Sequence, residues 1–163
     1  MTMEQNTQLL EVQVGERLAT LGKTICTAES CTGGLIASRL TDISGSSRYV
    51  LGGIVAYSNA IKEAMLGVKT QTLIDHGAVS EATAGEMAIG ARKRLGTDYA
   101  LSVTGIAGPG GGTDEKPVGL TYIGLAGTEG ILAVKRFVWQ GNRLENKHDS
   151  ADAALRLILE HLS

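Results

Sequence analysis

Ser30, Tyr57 and Lys62 are the side chains whose types and spacing suit nucleophilic chemistry on an amide. Ser30 stands in Thr27-Ala28-Glu29-Ser30-Cys31-Thr32-Gly33-Gly34, between a short β-branched stretch and an expected helix start. A hydroxyl there lies beside backbone N–H groups without an intrahelical partner, which can hold an oxyanion or a phosphate. The same position also suits a plain N-cap. An attacking serine needs a base within hydrogen-bond reach, and Tyr57-Ser58-Asn59-Ala60-Ile61-Lys62 follows a second expected strand as Ser30 follows the first. Ser-Lys and Ser-Tyr-Lys arrangements serve amide hydrolysis. For a lysine to act as a base near neutrality its pKa must fall by roughly three units, about 4 kcal/mol, which burial or a nearby helix N-terminus supplies. The competing structural reading makes Tyr57 a strand-end core aromatic and Lys62 a solvated helix residue.

Other chemistries fit less well. His76 is expected at a helix end before Gly77, and His148 and His161 on the last helix, so no histidine follows a core strand to complete a serine triad. Ser30 lacks the G-x-S-x-G surroundings of a nucleophile elbow. Cys31 is a rival nucleophile near a helix N-terminus that would lower its pKa, but a cysteine entering a helix more often packs inward. Glu29 reads as a capping or solvated carboxylate. The His, Cys and carboxylate residues show no ligand spacing, so no metal is expected, and neither G-x-x-x-x-G-K-S/T nor G-x-G-x-x-G occurs to bind ATP or a dinucleotide. Residues 105–117 are glycine-rich and can form an anion-binding nest. Thr104 either bonds a ligand or caps that turn, and Lys116 and Arg143 either pair with a phosphate or are solvated.

The elements that must position these groups are legible in the pattern. Leu10, Val14, Leu18 and Leu21 recur at helical spacing over residues 7–21, before a stop at Gly22. Residues 24–28 read as a strand, 33–40 as a helix and 51–57 as a second strand. Ser58 or Asn59 then caps a short helix carrying Ile61, Lys62, Met65 and Leu66 to a stop at Gly67. A helical piece at 70–76 and a longer helix at 81–95, capped by Ser80, precede a third strand at 99–104. Residues 118–126 and 131–139 read as a hairpin. The last helix runs to about Leu162, with Leu144, Ala151, Leu155, Ile158 and Leu162 on one side. This order implies a three-layer α/β/α sandwich on a mixed sheet of about five strands. Ligands gather at the carboxyl ends of such strands, where Ser30, Tyr57 and the loop after Thr104 all fall.

Composition narrows the setting. The 163 residues suit one domain, with 1–6 a disordered tail. Fifteen basic against 17 acidic residues give no electrostatic footprint for nucleic acid. No apolar run approaches the roughly 20 residues of a membrane span, and the polar first residues lack the features of a secretory signal, so a cytoplasmic location is expected. Cys26 and Cys31 form no disulfide framework and are expected to be reduced.

Five segments carry a further signal: T-A-E-S-C-T-G-G at 27–34, Y-S-N-A-I-K at 57–62, H-G-A-V-S at 76–80, T-G-I-A-G-P at 104–109 and K-P-V-G at 116–119. Together, and in this order, they resemble the CinA C-terminal domain family, whose stand-alone members are nicotinamide-nucleotide amidases. The likeness runs from about Leu9 to Leu162. It implies hydrolysis of nicotinamide mononucleotide to nicotinate mononucleotide and ammonia, in pyridine-nucleotide salvage, without a cofactor. It further implies Ser30 as nucleophile, Lys62 as base directly or through Tyr57, and an oxyanion site from the amides of Cys31, Thr32, Gly33 and Gly34. Thr104, the glycine loop with Gly105, Gly108, Gly110 and Gly111, and Arg143 are then the candidates for holding ribose, phosphate or ring. A homodimer or higher homo-oligomer is the default assembly.

The chain departs from the family pattern where G-D-R commonly precedes the last helix. Here Gly141-Asn142-Arg143 stands, and Asn146-Lys147 replaces an arginine frequently seen shortly afterwards. Arg143 is kept, while the local charge differs. Some family members carry an additional N-terminal nucleotide-hydrolysing domain; 163 residues leave no room for it, so that second activity is expected to be absent.

Overall fold

A buried five-residue strand, Ile25–Glu29 (β1), delivers Ser30 at its C-terminal end. In the computed structural model, which describes residues 8–163, β1 pairs in parallel with Val50–Val55 (β2) on one side and Tyr99–Gly105 (β3) on the other. Leu120–Gly127 (β4) runs antiparallel to β3, and Gly130–Val138 (β5) antiparallel to β4. The order β2-β1-β3-β4-β5 is the mixed five-stranded sheet that the pattern implies. Its parallel half needs crossover segments, whereas Thr128 and Glu129 alone turn β4 into β5.

Six α-helices of the described residues cover the two faces. Leu10–Leu21 (α1), Leu35–Thr41 (α2) and Arg143–His161 (α6) enclose one core, in which Val14, Leu18, Ile36 and Leu155 meet Ile25, Leu101, Val103 and Ile123 of the sheet. Asn59–Leu66 (α3), Thr70–His76 (α4) and Glu81–Leu95 (α5) lie over the other, where Cys26, Ala28 and Ala100 meet Leu66, Met87 and Ala91. Strand residues thus alternate between the two cores with the period of two that a sheet imposes. On α5, a Cβ at Gly90 would strike the Leu66 carbonyl oxygen, so glycine is what lets α5 press onto α3.

Local chemistry sets the helix ends. Ser58 caps α3, its Oγ accepting from the Ile61 N–H at 3.2 Å, and Ser80 caps α5 through the Thr83 N–H at 3.1 Å. Gly22, Gly67 and Gly96 end α1, α3 and α5 in the left-handed conformation. Asn142 and Glu145 form a reciprocal capping box at the start of α6.

Two expectations need correction. The second helix does not begin at residue 33: a turn covers 31–34 and α2 starts at Leu35, so Ser30 is not its N-cap. Leu144 does not join the inward face of α6; it is 67% exposed, because the first turn of α6 meets the loop after β3 through the polar Arg143 and Asn146. The expected tail at residues 1–6 lies outside the described residues.

Candidate active site

The C-terminal ends of β2, β1 and β3 stand side by side, and the segments leaving them form a cleft of about 280 Å³. Ser30, Cys31, Tyr57 and Lys62 line it on the β1–β2 side. Thr104, Gly105, Gly108, Gly110 and Gly111 form the facing wall, and the exposed Arg143 closes its rim. Three stretches of sequence far apart are brought together as anticipated. Thr32, Gly33 and Gly34 do not line the cleft.

Ser30 is held by its own backbone. Its N–H donates to the Val103 carbonyl at 3.0 Å, extending the β1–β3 ladder one residue past the strand, and its carbonyl accepts from the Gly33 N–H at 3.1 Å. The side chain is thereby aimed at Lys62, whose Nζ lies 3.0 Å from the Ser30 Oγ. Lys62 is 2% exposed, far from the solvated role that competed with catalysis. No carboxylate lies within ion-pair distance of it among the described residues. Burial pushes the Lys62 ammonium below its ordinary pKa. Its other partner is the Tyr57 carbonyl, at 3.1 Å. A neutral amine has two hydrogens and one lone pair; with one hydrogen on Tyr57 O, the lone pair is free to accept the Ser30 proton.

Tyr57 contributes through its main chain on this side and its side chain on another. The ring is 65% exposed, and its hydroxyl accepts from Arg143 Nη2 at 3.3 Å. Arg143 Nη1 donates to the Gly108 carbonyl at 2.9 Å, so the guanidinium ties the β2 side of the cleft to the loop after β3. Thr104 is buried, and its hydroxyl donates to the Ala78 carbonyl at 2.7 Å, bracing that wall against the segment before α5. Lys116 Nζ reaches the His76 carbonyl instead of the cleft.

The first amides of α2, and one of the four expected oxyanion donors, that of Gly33, already have acceptors. Glu29, 1% exposed, accepts from the Ile36 and Ala37 amides at 2.9 and 3.0 Å and from the Thr32 hydroxyl at 2.7 Å. A carboxylate thus occupies the positive end of α2, and the Gly33 amide is spent on Ser30 O. Cys31 is the reverse of an activated thiol: burial pushes its pKa up to about 11. None of the three histidines lines the cleft.

Sequence reasoning missed Asn59, Ala78 and Val79, which line the cleft, and Asn146, which braces its wall. The H-G-A-V-S segment was the available signal for the 78–79 contribution, since it stood among the shared motifs with no role attached.

The CinA C-terminal domain model matches residues 7–162. The chain belongs to the CinA C-terminal domain family. A CinA-like protein of Chloroherpeton thalassium is 52% identical over 158 residues, covering 94% of this chain and 37% of its own length. A CinA-like protein of Syntrophomonas wolfei is 53% identical over 157 residues, with 96% and 37% covered. The chain spans a little over a third of the length of these relatives. Among solved structures, the competence/damage inducible protein CihA from Agrobacterium tumefaciens superposes with a TM-score of 0.88 at 44% identity, covering 93% of this chain and 92% of that one. A CinA superfamily protein from Klebsiella pneumoniae gives 0.91 at 33% identity, over 97% and 98%. In this CinA domain no helix of the described residues is long and apolar enough to cross a membrane.

Proposed function

We propose that this CinA domain is a serine amidase that hydrolyses the carboxamide of nicotinamide mononucleotide to nicotinate mononucleotide and ammonia. The observation that carries the reading is the 3.0 Å contact between the Ser30 Oγ and a buried Lys62 that has no carboxylate partner among the described residues. Burial favours the neutral amine, which is the form that accepts a proton.

Ser30 Oγ attacks the carboxamide carbon while Lys62 Nζ takes its proton. The tetrahedral intermediate collapses as Lys62 returns that proton to the leaving nitrogen, and ammonia departs. Water, deprotonated by Lys62, then attacks the acyl-enzyme, and the second collapse restores Ser30. No step asks for a metal or cofactor. The Arg143 guanidinium, with N–H groups beyond those given to Gly108 and Tyr57, supports binding of the substrate phosphate at the rim. A homodimeric or higher homo-oligomeric assembly in the cytoplasm accompanies this proposal.

Ammonia release from nicotinamide mononucleotide, measured with Ser30→Ala as control and with chelator present, tests it. Release that chelator leaves unchanged and Ser30→Ala abolishes is the expected result. Release only from other small carboxamides would replace the substrate, and tight nucleotide binding without turnover would replace the enzyme with a binding module.

A further inference from the structure

Asn146 has no part in the steps above, yet it is 2% exposed and bonded at both ends of its amide. Its Nδ2 donates to the Ala107 carbonyl at 3.0 Å, and its Oδ1 accepts from the Gly141 N–H at 3.0 Å. One turn earlier on α6, Arg143 donates to the next carbonyl along the loop, that of Gly108. Two successive loop carbonyls are therefore drawn towards α6. In a trans peptide the C=O and N–H point in opposite directions. Holding the Ala107 carbonyl against Asn146 thus turns the Gly108 N–H away from α6. Gly108 lines the Ser30 cleft, and its amide has no hydrogen-bond acceptor among the described residues. Only glycine fits there: φ is +85°, and a Cβ would lie 2.5 Å from Val118 Cγ1.

We propose that the Gly108 amide is an oxyanion donor for the Ser30 reaction and that Asn146 is the positioning residue that aims it. The proposal rests on reading the chain as a serine amidase. As the Oγ–carbon bond forms and the Ser30 proton passes to Lys62, the carbonyl π pair moves onto oxygen, and the Gly108 N–H donates to that oxygen. When the C–N bond breaks, the nitrogen takes the bonding pair and the proton from Lys62, and the oxygen pair restores the carbonyl. A donor aimed at charge present only in the intermediate lowers the barrier without tightening the ground state. With the Ile36 and Ala37 amides given to Glu29 and the Gly33 amide to the Ser30 carbonyl, the Gly108 amide supplies a donor from the loop after β3.

Asn146→Asp tests this, because it keeps the shape and the acceptor for Gly141 N–H but sets a carboxylate oxygen against the Ala107 carbonyl. The kcat for nicotinamide mononucleotide should fall by about 10- to 100-fold with KM within about twofold. Phosphonylation of Ser30 by a fluorophosphonate, followed by intact mass, should slow comparably, since that reaction also builds charge on an oxygen. A lower melting temperature with kcat per folded molecule unchanged, or a raised KM with kcat intact, overturns the proposal. Asn146→Ala supplies the same comparison where the aspartate variant does not fold. Should the wild-type protein leave nicotinamide mononucleotide intact, the substrate reading falls and phosphonylation still decides: equal rates in wild type and variant overturn the role of Asn146. A wild-type protein that the reagent does not label overturns both readings.

Discussion

Lys62 Nζ and Ser30 Oγ, 32 residues apart in sequence, lie 3.0 Å apart with both residues withdrawn from solvent. The parallel register produces this contact. Glu29 stands opposite Val55, and the Ala56 N–H donates to the Glu29 carbonyl at 2.8 Å, so the chain leaves β1 and β2 at the same level. One segment then presents a hydroxyl, and the first turn of α3 presents an amine to meet it.

The nucleophile is tested by two neighbouring substitutions. Ser30→Ala should lower kcat/KM for ammonia release by about 10³-fold or more, because Ser30 carries the hydroxyl held against Lys62. Cys31→Ala should cost less than about tenfold, since a thiol held near 11 is protonated at neutral pH. The reverse pattern would move the acyl group to sulfur.

Lys62→Met should abolish turnover and raise the melting temperature at pH 7. The unfolded chain holds an ordinary lysine, with pKa 10.5, while burial lowers the folded value. Between the two, the unfolded state binds more protons, so stability climbs as pH rises through that interval and is lost below it. Methionine removes the penalty, and its advantage should shrink as pH approaches 10.5. In the wild type, kcat/KM should rise with pH on a limb whose midpoint lies below 10.5, because only the neutral amine accepts the proton. A limb at the ordinary lysine value would remove Lys62 as the base.

Tyr57→Phe separates the two halves of that residue. The carbonyl that orients Lys62 is retained, so kcat should stay within about threefold, while loss of the hydroxyl that Arg143 holds should raise KM by about two- to tenfold. A hundredfold fall in kcat would instead make the phenol the immediate base.

Glu29→Ala should cost about 2–4 kcal/mol in urea unfolding, since it strips the buried Ile36 amide, the half-buried Ala37 amide and the Thr32 hydroxyl of their acceptor. A cost below about 0.5 kcal/mol would mean that water replaces the carboxylate at the helix end.

Much of the frame was readable because it is local. Ser58 and Ser80 announce helix starts by their own hydroxyls, Gly67 and Gly96 mark stops, and β-branched runs with turn residues between them define the strands. What escaped depends on distance in sequence. Lys62 was nominated by its place after the second strand, but its burial shows only once the fold closes over it. The Glu29 carboxylate reaches seven and eight residues ahead to find its amides, beyond any capping pattern. The Tyr57 contact with Lys62 is made by a carbonyl, which every residue carries and no residue type betrays. Leu144 kept the helical period of its neighbours, but the sheet was not beneath it.

That carbonyl contact also divides two jobs at position 57. The main chain steadies Lys62 whatever side chain the residue carries, so the place of the amine is set by the turn into α3. The exposed ring serves separately, joined through Arg143 to the loop after β3.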